Sequence, residues 1–196
     1  MSLELIKQVN DRYIDALAFH RTSADAFAFL SLYGFAQIHE YQYTEEAQTQ
    51  RRLKLFLTRT YNHLISDAGA QTFDLLDAKI KNKKRSELQA ADFWQAAQSA
   101  FSKYRQWEAE TLELYEEITQ QLSSSGDVVG SDYVKNLAVS INLELQYITD
   151  LMTAYNAIDW SMEQIRAEQD ALQEKYIYRV RELYKDFPEY HHFNSV

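Results

Sequence analysis

Two glutamates, Glu108 and Glu144, occupy positions where long amphipathic helices should carry core residues. The stripe around Glu108, with residues spaced alternately by three and four, consists of Phe101, Tyr104, Thr111, Tyr115, Ile118 and Leu122. The stripe around Glu144 consists of Leu137, Ile141, Ile148, Leu151 and Tyr155. An ionised carboxylate buried without a partner costs several kcal/mol or takes up a proton. The spacing therefore predicts carboxylates that meet inside a helical bundle and share a metal ion, a proton or a cation.

A second interpretation of these stripes needs no shared ligand. Each glutamate could lie at the edge of its stripe, where water, a cation such as Arg105 or a tyrosine hydroxyl would satisfy the carboxylate. The deciding observation is whether Glu108 and Glu144 face each other across a bundle core.

The composition predicts a single, entirely helical domain over residues 1–196. Of these residues 46% are hydrophobic, and only four are glycine and one is proline. The formal net charge of −9 argues against nucleic acid and membranes as partners, because nucleic acids and anionic membranes bind to basic surfaces. The sequence has no cysteine and no run of about 18 apolar residues. We therefore expect a soluble cytoplasmic protein without thiolate chemistry.

The first half of the chain predicts two helices. The first begins near Ser2, and its inward face carries Ile6, Tyr13, Leu17, His20, Ala24 and Phe27. The second should end near Gly69, and one of its faces carries Glu46, Gln50, Leu53, Leu57, Tyr61 and Leu64. Only Gly34 and the polar run 39–46 signal a turn between the two helices.

A long connection follows over residues 67–91. Its apolar residues Phe73, Leu75, Leu76 and Ile80 could anchor a short segment on the bundle. A stretch of about 25 residues can carry the chain back along a bundle, which makes the flanking helices parallel. The same stretch holds the concentrated basic run of Lys79, Lys81, Lys83, Lys84 and Arg85. This run is either a solvated loop or a site for an anionic ligand.

Two more helices follow the connection. Asp92 is a candidate N-cap for the third, which should run to the polar break at 123–127. The fourth should begin after Gly130, with Ser131 or Asp132 as its cap.

The C-terminal third predicts either one very long helix or a fourth and a fifth helix with a bend near 159–161. We favour the bend, because a straight helix of about 50 residues or more would extend about 80 Å and outrun its partners. The bundle core then covers about 2–158, the C-terminal helix about 159–187 and a tail 188–196.

This order of parts resembles the ferritin-like fold: two helices, a long crossover, two helices joined by a short polar turn, and an added C-terminal helix. Residues 92–108 and 112–118 resemble the third helix of ferritins, in which an alanine-rich start leads to a glutamate and a leucine-rich second half. The turn at 124–127 and residues 133–148 resemble the following turn and fourth helix. Residues 27–32 resemble the end of the first helix.

The resemblance implies a ferroxidase centre, where carboxylates and a histidine hold iron inside one bundle while dioxygen oxidises it. Oxygen ligands suit iron, and a bridging carboxylate reduces the repulsion between two cations. Glu108 matches the third-helix glutamate and Glu144 the fourth-helix position. The resemblance thus implies a metal site made of Glu108, Glu144, Glu46 and His20, with iron as its metal.

The other half of the centre departs from the family pattern. The second-helix Glu-x-x-His signature keeps Glu46 but has Thr49 where the histidine belongs, while counting back from Gly69 would place Lys54 and Leu57 there instead. The first-helix glutamate is absent. His20 could substitute for it, and Thr22 is the alternative by position.

Three functional hypotheses therefore stay open, and the missing second Glu-x-x-His argues against one of them, an enzyme that uses the bundle for another di-metal oxidation. The leading one is a ferritin-like homo-oligomer that binds or stores iron and oxidises iron(II) at an altered site. Its alternative is a ferritin-like helical protein that has lost the metal site and serves as a structural or interaction module. A Glu-x-x-His spacing, from Glu189 to His192, follows Pro188 near the C-terminus, where chains commonly fray.

Overall fold

The computed structural model describes residues 2–65, 67 and 69–186, and over these residues the chain is helical without strands. Six α-helices follow in order: α1 (Ser2–Phe29), α2 (Tyr33–Tyr61), α3 (Ala78–Lys81), α4 (Ala90–Ser124), α5 (Val128–Ala157) and α6 (Met162–Asp186). A short 3₁₀ helix, Arg85–Glu87, lies between α3 and α4. The all-α prediction is confirmed.

The first two helices form a hairpin with a turn at residues 30–32. Ser31 adopts a left-handed conformation with φ of 58°, and the Leu32 amide donates to the Phe27 carbonyl at 2.9 Å. This geometry closes a helix C-terminus, and the flanking Leu30 and Leu32 are buried. The predicted turn at Gly34 or within 39–46 is wrong, because both lie inside α2. Burial of Leu30 and Leu32, rather than a glycine, determines where this turn lies.

Helix α2 ends at Tyr61, earlier than the predicted end near Gly69. Asn62 takes the left-handed conformation with φ of 50°, and its amide donates to the Leu57 carbonyl. Asparagine tolerates this conformation better than most residues. Leu64, which was expected on the inward face, is 86% exposed.

The connection between α2 and α4 runs along the bundle, so that these two helices are parallel. Leu75, Leu76 and Ile80 are buried and anchor it. In the basic run, Lys81 pairs with Asp74, and Lys83 Nζ lies 3.0 Å from Asp92 Oδ2.

Both predicted caps of the following helices differ from the structure. Asp92 lies inside α4, where its carboxylate accepts a hydrogen bond at 3.0 Å from the amide of the true cap residue, Gln89. Helix α5 begins before Gly130, because the Asp127 side chain accepts from the Gly130 amide at 2.9 Å. Aspartate is a strong N-cap, and its position after the polar turn explains the early start.

The predicted bend after the fourth helix is confirmed. Helix α5 ends at Ala157, and Asp159 and Trp160 have φ angles of 49° and 51°. Helix α6 then folds back beside α2. The two helices approach closely at Gly34, where an added Cβ would lie 2.7 Å from the Gln169 carbonyl oxygen.

The core forms two hydrophobic clusters at opposite ends of the bundle. The cluster near the α1–α2 turn includes Phe27, Phe35, Phe101 and Tyr155. The other, near the N-terminus of α1, includes Ile6, Leu57 and Val134. Buried polar side chains lie between these clusters, and they include the candidate site.

Candidate metal centre

Three of the four predicted ligands meet in the centre of the bundle. His20 comes from α1, Glu46 from α2 and Glu108 from α4, and all three side chains are buried. His20 Nε2 lies 3.4 Å from Glu46 Oε1 and 3.9 Å from Glu108 Oε1. Two ligands that each lie about 2.1 Å from one metal ion are at most roughly 4.2 Å apart. Both separations therefore suit a shared ion.

Several nitrogen and oxygen atoms of this cluster that could ligate a metal ion have no hydrogen-bond partner among the described residues. Within the described part of the chain, no group bonds to His20 Nε2, Glu46 Oε2 or either carboxylate oxygen of Glu108. Buried polar atoms are nearly always paired in folded proteins, and an unpaired one costs about 1–3 kcal/mol. The cluster thus has several lone pairs to offer to a cation or to protons.

Glu144, the fourth predicted ligand, lies at the edge of the same polar layer. Its side chain is partly buried, and Oε2 accepts a hydrogen bond from Gln42 Nε2 at 2.9 Å. The same Gln42 amide nitrogen also contacts the Tyr104 hydroxyl. Gln42 therefore ties Glu144 of α5 to the buried side chains of α2 and α4.

The electrostatics of the polar layer favour the protonated forms of Glu108 and Glu144. Burial raises the pKa of Glu108 well above its ordinary value, the negative charges of Glu144 and Glu46 raise it further, and Arg12 opposes the rise. Burial also raises the pKa of Glu144 well above its ordinary value, with Glu46 and Glu45 adding to the effect. Like charges held together in a water-poor layer disfavour ionisation. A bound cation would reverse that balance.

The neighbouring arginines are engaged with other groups. Arg12 donates to Thr111 Oγ1 at 2.8 Å and to the Trp107 carbonyl at 3.0 Å, with its guanidinium carbon 3.3 Å from the centroid of the Trp107 ring. Arg105, the cation that the alternative interpretation invoked, donates to Thr149 Oγ1 at 3.2 Å near the surface. Arg12 influences Glu108 at a distance rather than through a bond.

The alternative ligands from the sequence bond elsewhere. Thr22 and Thr49 donate their hydroxyls to carbonyls of their own helices, at 2.9 Å and 3.0 Å. Lys54 Nζ pairs with Asp67 Oδ2 at 2.7 Å. Glu189 and His192 lie outside the described residues.

One residue of the cluster, His39, was not among the ligands predicted from the sequence. It is buried on α2, and its Nδ1 lies 2.9 Å from His20 Nδ1. Phe35, His39, Gln42 and Glu46 follow the alternating spacing of four and three on one face. Extending the inward stripe of α2 back to Phe35 would have revealed His39, but the misplaced turn concealed that stripe.

The donor set fits one metal ion better than two. Among the described residues, no three His, Asp or Glu side chains are placed as a ready group for a metal ion. The distances from His20 Nε2 to Glu46 and Glu108 lie within the span of one shared ion, but the three side chains would have to rearrange to bind it together. A two-ion centre lacks ligands, because Thr49 replaces the expected histidine and Glu144 is bonded to Gln42.

A surface cavity of about 390 Å³ reaches the edge of this layer between α2, α5 and α6. Gln42 and Glu144 line it together with Glu45, Tyr41 and Arg179. The cavity gives the polar layer its access to solvent at Glu144.

The fold and site define an all-helical protein with a buried carboxylate–histidine cluster. No helix within the described part of the chain is long and apolar enough to cross a membrane. Comparisons with protein-family models, with curated proteins and with solved structures gave no match.

Proposed function

We propose that this protein is a ferritin-like helical bundle that binds one divalent metal ion at His20, Glu46 and Glu108. The observation that supports this proposal is the set of unpaired donor atoms that face each other in the core, above all the fully buried carboxylate of Glu108. Iron(II) is the ion suggested by the ferritin resemblance and by the mixture of oxygen and imidazole donors.

Each side chain has a distinct part in this proposal. His20 offers a neutral nitrogen donor, while Glu46 and Glu108 supply the negative charge that neutralises the cation. Glu144, tethered by Gln42, lies beside the solvent cavity, and its ionised form would attract the incoming ion. Iron bound at this layer would supply one-electron chemistry towards dioxygen, and the surrounding burial would keep bulk water away from it.

Anaerobic titration with iron(II), followed by exposure to air, tests the proposal. We expect about one iron per chain and a ferric absorbance after air is admitted. Glu108→Gln should abolish binding, because it replaces a charged ligand by a neutral amide of the same size. Glu113→Gln on the exposed face of α4 is the matched control. Equal binding by the wild type and Glu108→Gln, or no binding by the wild type, would refute the proposal.

The same cluster supports a second candidate, a metal-free helical module. The raised pKa values of Glu108 and Glu144 would let protons take the place of a cation. A chain that binds neither iron(II) nor other divalent ions, yet unfolds cooperatively, would favour this candidate.

A homo-oligomer belongs to the same proposal, because iron storage requires an assembly that encloses a mineral. Val139 and Leu143 lie one turn apart on α5 and are 55% and 60% exposed, which gives that helix an apolar outer strip. Sedimentation velocity separates the possibilities: a large assembly would support storage, and a monomer or dimer would restrict the function to metal binding.

A further inference from the structure

The buried contact between His20 and His39 suggests a role for a residue outside the proposed ligand set. Their Nδ1 atoms lie 2.9 Å apart, and both rings are fully enclosed. A hydrogen bond between two imidazole nitrogens requires that one carries the proton and the other accepts it. The direction of this hydrogen bond therefore decides whether His20 presents a proton or a lone pair at its opposite nitrogen, Nε2.

The aromatic surroundings hold His39 in place. The Phe27 ring stacks on it, with centroids 5.3 Å apart and an angle of 10° between the planes. The Tyr104 ring meets it edge-on, with centroids 4.6 Å apart. These contacts fix the plane of His39, so its Nδ1 has a fixed direction towards His20.

We propose that His39 is a positioning residue, which accepts a proton from His20 Nδ1 and so leaves the lone pair of His20 Nε2 facing Glu46 and Glu108. In this tautomer, Nε2 can bind a metal ion directly. In the opposite tautomer, a proton on Nε2 would occupy the space between the ring and the two carboxylates. The effect of His39 on metal binding rests on the proposed function. The tautomer of His20 does not, because it is a property of the metal-free protein.

Groups that bond to the second nitrogen of a metal-binding histidine orient its ring and increase its basicity, and their loss commonly weakens metal binding by about 10–100-fold.

Nitrogen-15 NMR of the metal-free wild type tests the tautomer first. We expect His20 to carry its proton on Nδ1 and to show the chemical shift of an unprotonated Nε2. A proton found on His20 Nε2 would overturn the proposal, and this result does not depend on whether the protein binds iron.

Two substitutions of His39 then test its effect on metal binding. His39→Phe keeps an aromatic ring in the Phe27 stack but removes the acceptor, so anaerobic iron(II) affinity should fall about 10–100-fold. His39→Asn places an amide oxygen near the position of Nδ1 and should restore affinity to within a few-fold of the wild type. His63→Asn, away from the cluster, should leave affinity unchanged.

The outcomes distinguish a positioning role of His39 from a packing role, and they test both apart from the proposed metal binding. Unchanged affinity in His39→Phe, or an equal loss in His39→Phe and His39→Asn with intact cooperative unfolding, would overturn the positioning role. A wild type that binds no iron but has the expected tautomer would refute the proposed function alone.

Discussion

Among the described residues, the buried carboxyl group of Glu108 is an unfavourable one. Both of its oxygens lack hydrogen-bond partners among the described residues, and its carboxylate lies opposite an imidazole at 3.9 Å. Such an arrangement destabilises a bundle unless something neutralises the charge. The side chain is thus expected to lower stability in the empty protein and to recover that loss when a proton or cation is present.

Glu108→Gln should therefore stabilise the metal-free protein at pH 7.5. The free energy of unfolding should rise by about 1–3 kcal/mol, because the substitution keeps the shape but removes an unsatisfied buried carboxyl group, which must either stay charged or take up a proton on folding. Urea unfolding in the presence of a chelator measures this difference. Glu113→Gln, which is exposed on the same helix, should change stability by less than about 0.5 kcal/mol.

The advantage of Glu108→Gln should depend on pH in a defined direction. The folded-state pKa of Glu108 is raised, so the folded protein holds this proton more tightly than the unfolded chain does. The resulting stabilisation is complete below the unfolded pKa of about 4.3 and is lost as pH rises through the folded pKa. The difference in free energy of unfolding between Glu108→Gln and the wild type should accordingly be smaller at pH 5 than at pH 7.5. A gap that is constant or widens towards acid would contradict this assignment.

The sequence predicted some individual residues well and others poorly. Every member of the stripe around Glu108, from Phe101 to Leu122, is buried, because long α4 has a regular apolar face that periodicity detects. His20 and Glu46 were placed in the cluster only through the ferritin resemblance. His39 could not be recognised once the turn between the first helices had been misplaced.

At the scale of the helices, the sequence-based predictions are wrong mainly at the helix ends. Ser31, Asn62 and Asp159 stop or bend the chain in left-handed conformations that glycine more commonly adopts. A search for glycine and proline therefore overlooks all three breaks. The bend at Asp159 was anticipated on length, since a straight continuation would outrun the bundle. Tertiary packing of Leu30 and Leu32, rather than a local signal, determines the first turn.

The contact between α2 and α6 gives a prediction at this scale. A Cβ atom at Gly34 would lie 2.7 Å from the Gln169 carbonyl oxygen and 2.8 Å from Leu172 Cβ. Gly34→Ala should therefore push α6 away from α2 and lower the free energy of unfolding by about 1–3 kcal/mol, even though alanine favours a helix.

Urea unfolding and hydrogen exchange of the α6 amides measure the effect of Gly34→Ala. The control is Gly69→Ala, because a Cβ at Gly69 would meet nothing within 4 Å. The α6 amides should exchange faster in Gly34→Ala and at the wild-type rate in Gly69→Ala. Wild-type stability in Gly34→Ala would mean that α6 does not pack on α2 as closely as described.

At the scale of the whole molecule, a polar layer separates two apolar halves. The hydrophobic cluster around Phe27 and the cluster around Ile6 lie on opposite sides of the layer that contains His20, Glu46 and Glu108. These three residues come from α1, α2 and α4, so one ion bound to them would link helices from both halves of the chain. Metal binding should therefore stabilise the bundle as a unit rather than a single helix.

Anaerobic thermal unfolding with iron(II) tests this link between the halves. At about 100 times the dissociation constant, a ligand that binds only the folded state adds about 2.7 kcal/mol to the free energy of unfolding. For a chain of this length, that corresponds to an increase in midpoint of roughly 5–10 °C. The transition should remain a single step, because the ion contacts three helices of one bundle.

The site variant Glu108→Gln distinguishes this stabilisation from general effects of the metal. It should be more stable than the wild type without iron, yet its midpoint should not move when iron(II) is added. The two proteins should therefore exchange their order of stability once the iron concentration makes the gain of the wild type larger than the advantage of Glu108→Gln. Nonspecific binding to the acidic surface does not produce this reversal. Equal increases in the unfolding midpoint of both proteins would mean that the metal binds elsewhere. The buried carboxyl group of Glu108 would then be neutralised by its own proton.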